Sequence, residues 1–210
     1  MTVQRGLVAG AALAGAALIG GAFYVLQERK TEEPDYRPLK TDGDFQIRDY
    51  PAMTVAETVV QGSRKAALGQ GFEIIADFIF AKSRDGEKID MTVPVMQDSG
   101  DPMASDPPLF DDDMEGAWRT RFVMPAGRTS DNLPEAPDGI ELVDVPPRKV
   151  AVVSFTGRAD DPMLADAEDR LRGWLARTGE KSAAEPEYAF YNSPVIPGPL
   201  RRNEVWLALS

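Results

Sequence analysis

Glu204 is the residue of this chain whose type and setting most directly suggest chemistry. It precedes an apolar run, Val205-Trp-Leu-Ala-Leu209. A carboxylate in such a strand loses hydration, its pKa rises, and it can then act as an acid or a base. The same side chain can instead close a structural ion pair with Arg201, Arg202 or Arg121. A second acidic group, Asp111-Asp-Asp113 with Glu115, lies in an Asp- and Pro-rich connection over 96–116. It lacks the twelve-residue ligand spacing and central glycine of a calcium loop, so it reads as a solvated loop. The chain has no histidine and no cysteine. Ser-His-Asp and Cys-His constellations, thiolate nucleophiles, disulfides and zinc-thiolate sites are therefore excluded, and no metal site is expected. A net charge of -11 also argues against nucleic acid as a partner, because phosphate binding needs a basic footprint.

The elements that must position these residues come from a duplication. Ile47-Arg-Asp-Tyr-Pro-Ala-Met-Thr-Val-Ala-Glu-Thr-Val-Val-Gln-Gly62 aligns without a gap on Leu142-Val-Asp-Val-Pro-Pro-Arg-Lys-Val-Ala-Val-Val-Ser-Phe-Thr-Gly157. Asp49 matches Asp144, Pro51 matches Pro146, Val55 matches Val150, Ala56 matches Ala151, and Gly62 matches Gly157. A helical pattern follows each glycine. The first carries Leu68, Phe72, Ile75 and Ile79 on one face. The second starts at Asp161-Pro162, shows Leu164, Ala167, Leu171, Trp174 and Leu175, and stops at Gly179. After each helix comes a strand ending in Pro-Val, Lys88 to Val95 and Tyr188 to Val195. Each half closes with one more strand, Trp118 to Met124 and Glu204 to Leu209. The predicted fold is α+β: duplicated β-β-α-β-β units forming an antiparallel distorted barrel with two helices, and a cleft along the pseudo-dyad.

Ahead of this domain, Gly6 to Leu26 is uncharged and almost wholly apolar. As a helix it would rise roughly 32 Å, the thickness of a bilayer's hydrocarbon core. The expected organisation is a transmembrane anchor at 1–27, a tether at 28–43 with Pro34 and Pro38, and a domain at 44–210. A cleaved signal peptide is the alternative for the first segment. The expectation is a single-pass membrane protein with its domain exported, because Arg5 sits in a very short N-terminal tail, although the flank beyond the span is the more basic.

Several of these segments resemble one family. Lys88-Ile-Asp-Met-Thr-Val-Pro-Val95 is similar to the Met-Thr-x-Pro-Val strand of SOUL proteins, and Arg201-Arg-Asn-Glu-Val-Trp-Leu207 to that family's closing strand. Phe122-Val-Met-Pro125 and the Tyr191-Asn-Ser-Pro194 turn fall where similar segments occur. The resemblance spans Phe45 to Leu209 and implies the duplicated fold of GyrI-like effector-binding domains. It also implies haem or another tetrapyrrole as ligand, held against the first helix by apolar contacts with basic side chains near the propionates. On that basis Leu68, Phe72, Ile75, Ala76, Ile79, Met91 and Tyr191 are the candidate binding residues. Axial ligation, if any, would come from Met91, Met96 or Tyr191. The sequence departs from its relatives in carrying Gly69 and Asp77 where basic residues are expected on this helix. Arg64, Lys65 and Lys82 are then the remaining cations.

Three functions follow. One is a membrane-anchored tetrapyrrole carrier or buffer that uses an apolar cleft without histidine. Another is a GyrI-like small-molecule domain or hydrolase working through Glu204. The third is a ligand-free interaction domain at the membrane. Binding is favoured over catalysis.

Overall fold

The computed structural model describes residues 31–100 and 116–209. The anchor expected at 6–26 and the acidic run at 111–115 lie outside the described residues. Among the described residues, no helix is long and apolar enough to cross a membrane.

The strands are β1 (Arg37–Asp42), β2 (Phe45–Tyr50), β3 (Met53–Gly62), β4 (Val95–Ser99), β5 (Gly116–Val123), β6 (Glu141–Val145), β7 (Arg148–Thr156), β8 (Glu187–Phe190) and β9 (Arg202–Ala208). The helices are α1 (Arg64–Ile79) and α2 (Asp161–Thr178). The two β-β-α-β-β runs are thus present in order. All neighbouring strands pair antiparallel in one sheet, ordered β1-β2-β7-β9-β8-β4-β5-β3-β6.

That order carries the repeat in its registers. Each half gives its first strand to the other: β2 pairs with β7, and β6 with β3. Ile47 faces Ala151, and the positions 95 residues away, Leu142 and Ala56, face each other likewise. The halves meet where β4 pairs with β8. Links of two residues, 51–52 and 146–147, join strands near opposite ends of the order. So short a link spans about 10 Å, so the sheet must curl until its ends approach. β1 and β6 remain the outer strands and do not pair with each other, so the barrel is not closed by hydrogen bonds.

Period-two alternation divides the sheet's two faces. Ala151, Val153, Val205 and Leu207 point to α2, where they pack with Leu164, Leu171 and Trp174. Ala56, Val95 and Phe122 point to α1 and meet Ile75, Phe78 and Ile79. The intervening residues, Val55, Met96, Val150, Val152 and Trp206, form a third cluster on the face away from the helices. Tyr50 from one end of the strand order and Val143 and Val145 from the other join this cluster, so the curl encloses it.

α2 follows its sequence signals. Asp160 is the N-cap, accepting from the Met163 amide at 3.1 Å, one residue earlier than expected. Gly179 ends the helix at φ 79°, a left-handed conformation that costs glycine little. α1 differs in phase. Its buried stripe is Ala67, Gly71, Ile75 and Ile79 with Phe78, while Phe72 is 36% exposed. Gly71 explains the shift, since a Cβ there would meet the Thr120 hydroxyl at 2.5 Å, so the helix lies directly on β5.

Three further segments depart from expectation. The second Pro-Val strand is cut short, because β8 ends at Phe190 and 191–195 is not strand. Residues 88–94 are not a strand; Thr92 donates its hydroxyl to the Val123 carbonyl, and β4 starts only at Val95. Part of the expected tether is also in the fold: residues 37–42 are β1, antiparallel to β2. Ahead of it, Glu32 forms a bridge to Thr92 and accepts from the Ala126 amide at 2.6 Å.

Candidate functional site

The enclosed face is built around Glu204, which is fully buried. β9 aims it inward by alternation, with Val205 and Leu207 taking the opposite face. Its Oε2 accepts from Arg48 Nη1 at 2.9 Å, from the Tyr191 hydroxyl at 2.7 Å and from Trp206 Nε1 at 2.8 Å. Its Oε1 accepts from Arg48 Nη2, the Ser154 hydroxyl and Arg202 Nη2, each at 3.0 Å. A forked, two-bond arginine contact of this kind is a strong charge-assisted arrangement. Burial pushes the Glu204 carboxyl pKa up, but the Arg48 hydrogen bonds and charge, with Arg202 and Tyr191, outweigh it and hold the value at about 2.

This corrects the acid-base expectation for Glu204. The apolar strand by itself would raise its pKa, but the Arg48 guanidinium, from β2 of the other half and across β7, reverses the shift. Of the three ion-pair partners expected for it, Arg202 is one; the main partner, Arg48, is not among them.

Aromatic rings enclose the pair. Tyr50 stacks on Trp206 at 4.8 Å, Tyr36 covers the Arg48 guanidinium at 4.3 Å, and Arg202 lies over Tyr191 at 3.7 Å. The hydroxyls of Tyr50 and Tyr191 stay protonated. Burial raises both, and the charge of Glu204 raises Tyr191 further. An open cavity of about 420 Å³ adjoins Tyr36 and Tyr50, with Asp35, Asp49 and Pro147 on its walls.

A second charged group lines the same face toward the first half. Asp98 pairs with Arg119 at 2.8 Å and Arg121 at 3.0 Å. Arg121 also meets Glu57 at 3.0 Å and Glu187 at 3.3 Å, and Glu187 pairs with Arg148. Burial pushes the Asp98 carboxyl up to about 6 against the pull of both arginines. The repeat inverts charge here. Val59 and Ser154 occupy equivalent positions, and their cross-strand partners are Arg119 and Glu204.

The binding residues expected from sequence do not form one site. Ile75 and Ile79 are core, packed between α1 and the sheet, and Ala76 is buried. Leu68 and Met91 are half-buried at the edge of that cluster. Phe72 is at the surface, its ring 5.4 Å from Phe122. Tyr191 lies on the other side of the sheet, within the Glu204 cluster. Met96 is also in that inner cluster, buried. Gly69 is exposed, and Asp77 accepts from Ser83 at 2.9 Å. Arg64 is committed elsewhere, bound to Asp161, Gln97 and the Ala159 carbonyl, where it joins the N-terminal ends of both helices.

Sequence reasoning missed Arg48, Tyr50, Tyr36 and Trp206. One signal was available: Arg48 is a charge between the apolar Ile47 and the aromatic Tyr50 in a strand that otherwise buries well. Matching it to Glu204 requires the strand exchange between halves. Among the described residues, no group of three or more acidic side chains is arranged to hold a metal ion.

Solved structures share this architecture at low identity, which establishes the fold alone. The EcmrR C-terminal domain superposes with a TM-score of 0.55 at 13% identity, covering 83% of this chain and 98% of that one. A hydrolase from Listeria innocua gives 0.54 at 13%, covering 82% and 94%. An uncharacterized conserved protein from Listeria innocua gives 0.56 at 12%, covering 80% and 92%. No curated protein matches. The sequence profile of the SOUL heme-binding protein family, by contrast, matches residues 31–208, which takes in β1, both repeats and the Glu204 cluster. The chain therefore belongs to the SOUL heme-binding protein family.

Proposed function

We propose that this chain binds a tetrapyrrole, or a similarly flat small molecule, and carries or buffers it without transforming it. The observation behind this reading is the inner face itself, where tyrosine and tryptophan rings and two arginines surround a carboxylate whose acceptor positions are already filled. A Glu204 pKa of about 2 makes it a poor proton donor and a weak base near neutrality. Rings and guanidiniums instead suit a large planar π-system bearing anionic groups. Family membership supports a tetrapyrrole as that ligand. The site proposed is the enclosed face rather than α1, where Ile75, Phe78 and Ile79 are used for packing.

Tyr36 and Tyr50, on the wall of the open cavity, offer ring faces to a porphyrin held without an axial protein ligand. Tyr191 donates its hydroxyl to Glu204, and burial with that neighbouring charge disfavours the tyrosinate that iron requires. Affinity then rests on ring contact and on arginine-propionate pairs. Haemin and metal-free protoporphyrin IX are expected to bind within about threefold of each other, since burial of flat apolar area is common to both. Titration of the full chain by tryptophan quenching measures this. Binding of haemin alone, with a shifted Soret band, would show that a ligand to iron exists.

A second element of the proposal concerns the apolar run at 6–26. Its length and lack of charge support a single-pass anchor, with the domain proposed on the exported side. Alkaline carbonate washing is expected to leave the chain in the membrane fraction, and protease added outside to remove the domain. Release by carbonate, or full protection from protease, sinks this element.

A further inference from the structure

We infer that Arg202, stacked on Tyr191, is a carboxylate subsite for a flat aromatic acid, and that Glu33 of the chain's own N-terminal strap occupies it as a built-in stand-in ligand. The inference rests on the reading that the enclosed face takes the ligand, and it names the chemistry and the control of that site.

Three observations carry it. The first is charge balance. Arg48 and Arg202 share one buried carboxylate, Glu204. Both tyrosine hydroxyls beside them are held neutral by burial. The second negative charge comes from Glu33, whose two oxygens each lie 3.0 Å from Arg202 Nη1. Without the strap the cluster keeps one surplus positive charge beside aromatic rings, a setting that selects one carboxylate.

The second observation is that the strap reproduces both halves of such a ligand. Three residues beyond the Glu33 carboxylate, Tyr36 lays a ring over Arg48 and against Tyr50, with centroids 5.3 Å apart. An acid group on one arginine and an aromatic plane on the other are what a carboxylated porphyrin would offer.

The third is that the charged contact is weakly held. The Arg202 and Glu33 side chains are 38% and 41% exposed. Exposed pairs of this kind contribute little to stability, so a ligand carboxylate can displace Glu33. Arg202 keeps its own position meanwhile, because its Nη2 stays on Glu204 and its plane on Tyr191. An incoming acid therefore meets a preformed donor and competes with a tethered one. Its apparent affinity is reduced by the fraction of time the strap is seated.

The test uses the full chain in detergent micelles, each variant being compared with the wild type in the same micelles so that partition cancels. The probes are metal-free protoporphyrin IX, its dimethyl ester, and 2-naphthoate as a small aromatic carboxylate. Glu33→Gln is expected to tighten both acids about three- to tenfold and to leave the ester within about twofold. Arg202→Gln is expected to bring protoporphyrin down to the affinity of its ester. If Glu33→Gln leaves both acids unchanged, or tightens acid and ester equally, the strap is a steric cover and the inference falls. Failure of both carboxylates to bind either form also overturns it. If naphthoate alone responds to Glu33→Gln and no porphyrin binds, the subsite stands and the tetrapyrrole reading is the part that fails.

Discussion

Arg48→Met is expected to destabilise the domain by about 3–5 kcal/mol, the cost of leaving a buried carboxylate without its main partner. Arg202, Ser154, Tyr191 and Trp206 remain on Glu204, but they replace one of two guanidiniums only partly. The double variant Arg48→Met/Glu204→Gln should recover most of the loss, because the amide carries no charge to strand. Urea unfolding of the four forms measures the coupling, and strictly additive effects would show that the two side chains act independently. The same pair sets an acid limit. Glu204 has its folded pKa depressed from 4.5 to about 2. Its contribution, about 3 kcal/mol, is therefore fully present above pH 4.5 and is lost as pH falls toward 2. Asp98 has the opposite sign. With its folded pKa raised to about 6, it favours the folded state more as pH falls from above 6 toward 3.8. The stability profile of the wild type should therefore rise modestly on mild acidification and fall below pH 4.5. In Glu204→Gln the acid-side fall should be reduced.

Ile75→Asp carries the second large effect. Ile75 is fully buried at the contact of α1 with the sheet, among Ala56, Phe78 and Phe122. An aspartate there either stays charged without a partner or takes up a proton, and both outcomes cost on the order of 4 kcal/mol together with the lost packing. For a domain of this size that lowers the melting temperature by about 10 °C. Phe72→Asp, one helical turn away at the surface, should move it by less than about 3 °C. Equal shifts in the two variants would mean that the buried stripe of α1 is misassigned.

These two sites also show how far the sequence could be read. The α2 stripe Leu164, Ala167, Leu171, Trp174 and Leu175 is legible because period, cap and stop agree. On α1 the apolar residues are ambiguous. Leu68 and Phe72 have the chemistry of a core face, but Gly71 is what touches the sheet, and a glycine gives no hydrophobic signal. The aligned halves reveal the repeat, since local patterns recur at one spacing. The exchange of first strands is not local, and with it the pairing of Arg48 with Glu204 was hidden. The participation of residues 32–42 was masked by two prolines and a run of charges, a composition normally associated with a linker.

The exchanged strands have a consequence for how the chain is made. During synthesis the first half emerges with β2 lacking β7, and with one edge of β3 waiting for β6. Neither vacancy can be filled until residues 141–156 have left the ribosome. The first half therefore cannot mature as an independent folding unit. Over that interval it presents unpaired edges to solvent and to other nascent chains. Once the second half arrives, pairings separated by about a hundred residues must close together, a topology that favours slow, all-or-none assembly. Selection for early folding of one half is therefore not open to this architecture.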